Sequence, residues 1–161
     1  FTPGLYSVTV DTPISTASGQ GVLADTPLAV TPLDVQTTPT DEFVAVVQEQ
    51  VEHFLTTCAT QEVLQPTACP FGIRVTNRLS SPPKWSIATQ PQITVIPDGG
   101  SWQIPNTDAV AHVDVEIRSL FDGSIEPMSE DVPFQLNGTI AILPNGTASI
   151  RVGAPGETGL D

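Results

Sequence analysis

The sequence predicts an α+β fold in which one long helix packs on a curved antiparallel sheet. The first observation is an amphipathic segment from Phe43 to Cys58, where apolar residues recur at helical spacing. The second is a set of later segments in which apolar and polar residues alternate between Pro-Asp-Gly-Gly, Asp-Gly and Pro-Asn-Gly turns. One helix followed by strands joined as hairpins is typical of a helix covering one face of a sheet.

The helix is predicted to run from Pro39 to about Thr60. Thr38 suits the N-cap and Pro39 the first helical position, where its missing N–H would be unpaired anyway. Pro66 and Pro70 prevent a continued helix, so the residues from Gln61 to Gly72 are predicted to form a loop. We expect the face formed by Phe43, Val47, Val51 and Phe54 to pack against strands that contain Val113, Val115 and Ile117.

Residues 1–36 are predicted to be the C-terminal part of a β module followed by a linker. Alternation from Leu5 to Val10 indicates a strand, Ser15 to Gly21 resembles a loop, and Val22 to Val35 indicates edge strands or an extended linker. A strand so near the first residue suggests that the chain begins inside this module. The α+β domain is expected to span residues 37–153, and residues 154–161 to form a disordered tail.

After Gly72 the pattern changes to a period of two. Strands are predicted at Ile73 to Asn77, in an extended segment from Trp85 to Ile96, at Ala111 to Ile117, at Phe134 to Leu143 and at Thr147 to Val152. Cystatin-like and nuclear-transport-factor-like cones combine a helix and a sheet in this way. Such folds host enzymes, binding modules and inert interaction domains, so the fold predicts no function.

Composition excludes several partners. The 161 residues carry 18 acidic and 5 basic side chains, and the net charge of −13 repels nucleic acid and anionic lipid head groups. No segment approaches the roughly 20 apolar residues that span a bilayer. A polar surface rich in Thr, Ser, Gln and Pro, with only 14% charged residues, is typical of secreted or wall-exposed proteins.

One segment resembles a known group of proteins. The run from Phe54 to Gly72, which ends in Cys69-Pro70-Phe71-Gly72, is similar to a segment of uncharacterised membrane-anchored cell-envelope proteins of actinobacteria. In those proteins a cytoplasmic region and a transmembrane helix precede the extracytoplasmic part, and Pro3-Gly4-Leu5-Tyr6 resembles the Pro-Gly-x-Tyr step of PEGA-type domains. The resemblance implies an extracytoplasmic location, an anchor upstream of Phe1 and no known activity.

The two cysteines are expected to form a disulfide. Cys58 and Cys69 are separated by a loop that can close, and an extracytoplasmic chain allows oxidation. A Cys-His nucleophile is the alternative. The chain has no Gly-x-Ser-x-Gly, no His-Glu-x-x-His and no phosphate-binding loop. We therefore expect no catalytic residue and no cofactor.

Two groups of residues are weak candidates for metal sites. His112, Asp114 and Glu116 share one face of a strand, but Arg118 continues the row, which favours a solvated outer face over a metal site. The acidic residues Asp122, Glu126, Glu130 and Asp131 lack the spacing of an EF-hand loop, so calcium is not favoured either. No bound metal is expected.

The favoured interpretation is a non-enzymatic extracytoplasmic domain with an interaction or sensing role. Its partner would be a cell-envelope component, and Arg74, Arg78 and Lys84 are the candidate contact for an anionic polymer. The alternative is a small-molecule-binding or hydrolytic domain with a pocket between helix and sheet. Apolar residues at the inward positions of the strand that contains Val113 favour the first interpretation, because they leave no acid, base or nucleophile inside.

Overall fold

The fold is taken from a computed structural model that describes residues 3–27, 30 and 32–155. The chain divides into two compact units, Phe1–Val46 (unit 1) and Val47–Asp161 (unit 2), and the division falls within helix α1, Asp41–Ala59. The boundary inferred near residue 37 stays a prediction. The expected disordered tail lies largely in residues 156–161, which are outside the described residues.

Unit 1 contains an antiparallel sheet of order β1-β2-β3. Its strands are β1 (Gly4–Asp11), β2 (Ser15–Ala24) and β3 (Thr38–Pro39). The alternation predicted in β1 is confirmed, since Tyr6, Val8 and Val10 are half-buried and the residues between them are exposed. The loop predicted from Ser15 to Gly21 is wrong, because these residues form most of β2.

Small residues in β2 suit this pairing even though their intrinsic preference favours a loop. A Cβ atom at Gly19 would lie 3.1 Å from the Ser7 Oγ atom and 3.2 Å from the Thr9 Cγ2 atom. The glycine therefore leaves room for the side chains of Ser7 and Thr9 on the neighbouring strand. Pairing between strands outweighs local propensity here.

Helix α1 is confirmed, but it begins two residues later than predicted. Thr40 is the N-cap, because its Oγ1 atom accepts a hydrogen bond of 3.2 Å from the Phe43 N–H. The same hydroxyl donates to the Pro13 carbonyl oxygen at 2.7 Å. Thr38 and Pro39, predicted as the cap and the first turn, form β3 instead. The described residues contain one helix, as expected.

The buried face of α1 differs from the prediction at one position. Its buried side chains are Phe43, Val47, Val51, Leu55 and Cys58. Phe54 is only half-buried, because a row with a spacing of four residues from Val47 leads through Val51 to Leu55. The predicted residues Phe43, Val47 and Val51 are confirmed as buried.

Unit 2 is built on a curled antiparallel sheet. Its strands are β4 (Arg78–Leu79), β5 (Lys84–Thr89), β6 (Ile96–Asp98), β7 (Ser101–Arg118), β8 (Ile125–Ile142) and β9 (Ala148–Gly153). The order is β4-β7-β8-β9, and β5 and β6 also pair with β7. One edge of β7 therefore carries three short strands in succession, while the other carries β8. The predicted α+β class is confirmed.

A bulge in β7 keeps one face apolar along its whole length. Before the bulge Trp102 and Ile104 are buried, and after it Ala109, Ala111 and Val113 are buried. The register with β8 shifts between Ile104 and Thr107, which changes the buried positions from even to odd numbers. Val115 is also buried and Ile117 is half-buried, so the predicted inward face of this strand is confirmed.

The three predicted turns are present. Gly99 lies between β6 and β7 with a φ of 59°, Gly123 between β7 and β8 with a φ of 75°, and Gly146 between β8 and β9 with a φ of 83°. Glycine adopts these left-handed conformations without a steric cost. These turns set the registers that place the outer-face residues described below.

The loop after α1 covers part of the sheet. Phe71 is buried, and its ring centroid lies 5.0 Å from that of Trp85 and 5.3 Å from that of Phe134. The Trp85 Nε1–H donates to the Val63 carbonyl oxygen at 2.7 Å. The strand predicted from Ile73 to Asn77 is wrong, because the backbone there serves this loop: the Ile73 N–H donates to the Leu64 carbonyl oxygen at 2.9 Å.

Candidate functional site: the outer face and tip of the β7–β8 hairpin

The register of the β7–β8 hairpin places polar residues of both strands on its outer face. Asp131 lies opposite His112, and Ser129 lies opposite Asp114. Since opposite residues of an antiparallel pair point to the same face, the four side chains form one group, which we call the His112 cluster. The predicted outward orientation of this row is confirmed, because Asp114 is exposed and His112 is half-buried.

His112 makes close polar contacts through both ring nitrogens. Its Nδ1 atom lies 2.6 Å from the Asp131 Oδ1 atom, and its Nε2 atom lies 3.0 Å from the Ser129 Oγ atom. The Nε2 atom is also 3.4 Å from the Asp114 Oδ1 atom. The imidazole is therefore held between two carboxylates and a hydroxyl.

These contacts shift two ionisation equilibria. The hydrogen bond to Asp131 raises the pKa of His112, and the charge of Asp114 acts in the same direction. The pKa of Asp114 is lowered, first by the Ser129 hydroxyl and then by His112. Both shifts favour an imidazolium ion between two carboxylates.

The order Ser129–His112–Asp131 has the connectivity of a nucleophile, base and orienting acid. A cavity of about 410 Å³ beside it is lined by Ser129, Asp114, Lys84, Glu62 and Pro82 among other residues. The Asp114 carboxylate, however, engages both the Ser129 hydroxyl and the Nε2 atom that would have to take the proton. A negative charge at that position opposes the formation of an oxyanion, so the cluster is built better for charge pairing than for acyl transfer.

The metal candidates do not converge. No group of three or more His, Cys, Asp or Glu side chains suitable for a metal occurs among the described residues. His112 turns to Asp131 and Asp114, and Glu116 takes no part in those contacts. Of the acidic residues considered for calcium, Glu126 lies opposite Ile117 and Glu130 opposite Val113, whereas Asp131 lies opposite His112 on the other face.

The end of the hairpin exposes apolar side chains. Phe121 is 100% exposed, Leu120 is 68% exposed and Ile125 is 49% exposed. The turn that carries them is fixed by Asp122, whose Oδ1 atom accepts hydrogen bonds from the Ser124 hydroxyl at 2.7 Å and the Ser124 N–H at 3.1 Å. Because the backbone of the turn is already hydrogen-bonded, a partner that binds Phe121 has to order the side chain but not the turn.

Two arginines lie behind this turn. Arg78 of β4 is directly opposite Arg118 of β7, which is in turn opposite Ile125 of β8. Both arginines are exposed, and among the described residues neither has an ion pair. We call Arg78, Arg118, Leu120, Phe121 and Ile125 the tip surface.

The basic cluster proposed from the sequence is divided by the structure. Arg78 lies beside Arg118, a residue that sequence reasoning treated only as part of a solvated row. Lys84 instead lies opposite Asp114 and contributes to the lowered pKa of that carboxyl group. Arg74 is exposed and lies outside the strands. The concentration of positive charge is therefore Arg78 with Arg118.

The predicted disulfide is present between Cys58 and Cys69, with a Cα–Cα distance of 5.9 Å. It joins the last turn of α1 to the segment that carries Phe71. Gly72 follows in a close approach, since a Cβ atom there would lie 3.2 Å from the Gln65 Cα atom. The Cys-Pro-Phe-Gly segment thus anchors the loop to the helix and to the sheet.

The described residues of the interior include no side chain that could act as an acid, a base or a nucleophile. None of the described buried side chains is polar or charged. The largest fully buried ones include Leu55, Ile104, Leu136 and Ile140. A core filled in this way has no room for a substrate.

Comparisons with protein-family models, with curated proteins and with solved structures find no match for this chain. The resemblance to actinobacterial envelope proteins therefore stays a prediction. Helix α1, the helix of the described residues, lacks an apolar stretch long enough to cross a membrane.

Sequence reasoning missed the roles of four residues: Ser129, Asp131, Arg118 and Phe121. Asp131 was considered for calcium but not as the partner of His112. The signal for the first two was available in the Asp122-Gly123 turn. Counting outward from a tight turn between Ser119 and Ser124 places His112 opposite Asp131. Phe121 lay inside a segment interpreted only as a turn, where an apolar residue has no packing role.

Proposed function

We propose that this chain is a non-enzymatic extracytoplasmic interaction domain of a membrane-anchored cell-envelope protein, whose anchor lies outside this chain. The observation that carries the proposal is the tip surface. Phe121 is completely exposed, although it is held on an ordered turn, and Arg78 and Arg118 behind the turn have no ion pair with any described residue. Exposed apolar patches mark interaction sites, and aromatic residues and arginine are enriched in binding interfaces.

The disulfide supports the compartment in this proposal. Disulfides form and persist in oxidising environments and are rare in the cytosol. The bond between Cys58 and Cys69 closes a loop that covers the sheet, so it serves the stability of the fold. The chain has two cysteines, and both are in this bond, so neither is a free thiol.

The charge of the tip surface supports an anionic partner. Arginines placed opposite each other repel, and an anion that contacts both would relieve this repulsion. We therefore assign the polymer contact to Arg78 and Arg118. This assignment replaces the contact inferred from the sequence, which consisted of Arg74, Arg78 and Lys84. A phosphate-bearing envelope polymer fits this arrangement.

The finer fold assignment belongs to the same proposal. A helix on a curled antiparallel sheet supports a cystatin-like or nuclear-transport-factor-like cone in unit 2. The segment Pro3-Gly4-Leu5-Tyr6, in which β1 begins at Gly4, supports a PEGA-like module in unit 1. The filled interior of unit 2 favours a scaffold that presents surface residues over a ligand-holding cone.

Polyphosphate is a suitable probe of the proposed contact. The net charge of −13 repels polyphosphate at long range as it repels nucleic acid, so binding has to come from the short-range contacts of Arg78 and Arg118. We expect weak binding in low salt and release as salt is raised. The double change Arg78→Glu and Arg118→Glu should weaken binding about tenfold, if each exposed charge contact contributes about 0.7 kcal/mol. The control is Arg151→Glu, which removes an exposed cation of β9 and should leave binding nearly unchanged.

Two results would contradict the proposed anionic partner. One is an absence of binding by the unmodified protein at low salt. The other is an equal loss in the Arg151 variant and in the double variant, which would show a general response to net charge. The apolar contact is tested separately by chemical cross-linking of the protein to envelope material. A Phe121→Ser variant that still binds polyphosphate but no longer cross-links would show that Phe121 makes a contact distinct from that of the arginines.

A second candidate function is hydrolysis at Ser129, favoured by the Ser129–His112–Asp131 connectivity. The active site of this candidate would lie on the outer face of the β7–β8 hairpin, whereas the sequence-based alternative was a pocket between helix and sheet. A fluorophosphonate reagent would label an activated Ser129 hydroxyl. We expect no more labelling of the native protein than of the Ser129→Ala variant; labelling that depends on Ser129 and His112 would favour the hydrolase.

A further inference from the structure

A groove lies between α1 and the edge strand β9 of unit 2. It encloses about 590 Å³, and its lining includes His53 and Phe54 of α1 and Ile150, Arg151 and Val152 of β9. All of these residues belong to unit 2. β9 ends the order β4-β7-β8-β9, so β8 is its one partner strand among the described residues. The groove therefore borders a sheet edge.

The register of β8 and β9 determines which backbone groups of β9 face the groove. The Leu143 N–H donates to the Thr147 carbonyl oxygen at 2.8 Å, in line with the β8–β9 ladder. Hydrogen-bonded pairs recur at every second residue of an antiparallel ladder, so Arg151, four residues after Thr147, also bonds to β8. Ile150 and Val152 lie between such positions. Their N–H and C=O groups consequently point away from β8.

These outward backbone groups are open to another strand. No hydrogen bond within the described part of the chain reaches those of Ile150 or Val152. β9 contains no proline or lysine, the residues by which natural edge strands prevent strand addition. The chain continues along β8 and not back over this edge, since Pro155 lies with Pro133 against a separate cavity. An extended peptide can add to an edge of this kind.

The two faces of β9 differ in what an added strand would meet. Ile150 lies opposite the buried Ile140, so Ile150 and Val152 point to the inner face, where both are half-buried and share the groove with Phe54. Apolar side chains opposite them would extend this surface. Arg151 points to the outer face, where it is exposed and has no ion pair among the described residues. An acidic side chain opposite Arg151 would pair with it.

The charge of the groove is opposite to that of the chain. The chain has a net charge of −13, yet none of the described residues lining the groove is acidic, and Arg151 and His53 are basic. The net charge repels a strongly acidic chain at long range. A single acidic residue between apolar ones therefore fits the groove better than an acidic run.

The disulfide holds one end of the groove. Thr57 and Ala68 also line it, and each immediately precedes a cysteine of the Cys58–Cys69 bond. Ala68 has a φ of 59°, a left-handed conformation that a residue with a side chain keeps only where its surroundings fix it. A groove with fixed walls binds an extended segment without first having to be ordered.

We propose that this groove binds an extended peptide segment of a partner protein, which adds to β9 as a further strand and carries one aspartate or glutamate between two apolar residues. The backbone of Ile150 and Val152 supplies the hydrogen bonds, and the two faces of β9 supply the preference for side chains. The site consists of residues of α1, β9 and the loop that contains Ala68. It is independent of the tip surface.

Fluorescence anisotropy with a labelled peptide tests the chemistry of the partner. The probe is a capped seven-residue peptide with a valine on each side of a central glutamate and threonine elsewhere. We expect a Kd on the order of 100 µM, because a short strand gains a small contact area. A central lysine should weaken binding about threefold, although the net charge of −13 attracts lysine at long range. No binding at about 2 mM, or tighter binding of the lysine peptide, would overturn the proposal.

Two variants at one position test the backbone contact. Val152→Pro removes an N–H that points to the groove and takes no part in the ladder with β8, so the fold should persist while peptide binding falls about tenfold. Val152→Thr keeps this N–H and a branched side chain, and its affinity should stay within about twofold of the native value. Full binding by a Val152→Pro variant with native circular dichroism would overturn strand addition.

A pair of arginine variants separates this site from the tip surface. Arg151→Glu should weaken binding of the glutamate peptide about threefold, whereas Arg118→Glu, which also reverses an exposed cation, should leave it nearly unchanged. Equal losses in the two variants would overturn the assigned pairing with Arg151. Absence of polyphosphate binding together with intact peptide binding would count against the proposed function alone.

Amide hydrogen exchange locates the bound peptide. A saturating concentration should slow exchange of the Ile150 and Val152 N–H groups about tenfold and change little at Phe121. Protection that omits Ile150 and Val152 would overturn the proposed pairing. Sedimentation of the unmodified protein tests the other occupant: a dimer that Val152→Pro dissociates would place a second copy in the groove and overturn the assignment to a partner protein.

Discussion

The hairpin β1–β2 in unit 1 and the hairpin β7–β8 in unit 2 are both antiparallel pairs with alternating faces, but they bury very different amounts of side chain. In β7 the inward residues Val113 and Ala111 are 0% exposed, whereas in β1 the best-covered residues are only half-buried. The covering of the unit 2 sheet comes from within unit 2. In unit 2 a loop held by a disulfide places Phe71 against Trp85 and Phe134.

The comparison shows that alternation alone does not make a core. Both hairpins satisfy a period of two, and both have turns that suit their registers. Only the second supplies large apolar side chains from several elements to one face, so only that face can be stabilised by close packing. Unit 1 is expected to have the lower local stability.

The largest expected effect comes from the same substitution placed in both units. Leu55→Ala removes a side chain that is 0% exposed, so the free energy of unfolding should fall by about 2–5 kcal/mol. Leu23→Ala removes one that is 67% exposed and should change it by less than about 0.5 kcal/mol. Urea unfolding of both variants measures the contrast, and equal effects would contradict the proposed difference between the units.

Removal of the disulfide tests the attachment of the loop. The double variant Cys58→Ala and Cys69→Ala should lose about 3 kcal/mol of stability, because the unfolded chain regains the freedom of the closed loop. Far-UV circular dichroism would check that α1 persists. A loss below about 1 kcal/mol would mean that the contacts of Phe71 hold the loop without the covalent bond.

A smaller effect is expected at the polar contact between α1 and the segment after β5. Gln48 donates from Nε2 to the Pro91 carbonyl oxygen at 2.9 Å and accepts from the Ile93 N–H at 2.9 Å. Gln48→Met keeps the volume but leaves both backbone groups without this partner, which should cost about 1–3 kcal/mol. Gln50→Met, on an exposed position of the same helix, is the control. Similar losses in the two variants would remove the role assigned to these bonds.

The smallest effect concerns His112. Its pKa is raised in the folded protein, so its contribution to stability is full below the unfolded pKa near 6.5 and is lost as pH rises through the folded pKa. An NMR titration should give a midpoint above 6.5, and Asp131→Asn should lower it. Glu130→Gln, which lies opposite Val113 on the other face, should leave it nearly unchanged. A midpoint insensitive to Asp131 would contradict the assigned hydrogen bond.

The sequence by itself determined the elements whose signals are local. The amphipathic spacing from Phe43 to Cys58 predicted α1, and the glycine turns predicted the hairpins of unit 2. The inward and outward residues around His112 followed from strict alternation, and loop closure together with the expected oxidising compartment predicted the disulfide. Each of these depends on backbone geometry or chain connectivity, which a short stretch of residues encodes.

Only the tertiary structure decided where distant residues meet. Thr38 and Pro39 carry the signature of a helix start, yet pairing with β2 makes them a strand and leaves Thr40 as the cap. The bulge in β7 and the position of Arg118 beside Arg78 depend on registers between strands far apart in sequence. Such pairings are selected by the packing of the whole sheet, because many alternative registers satisfy the same local pattern.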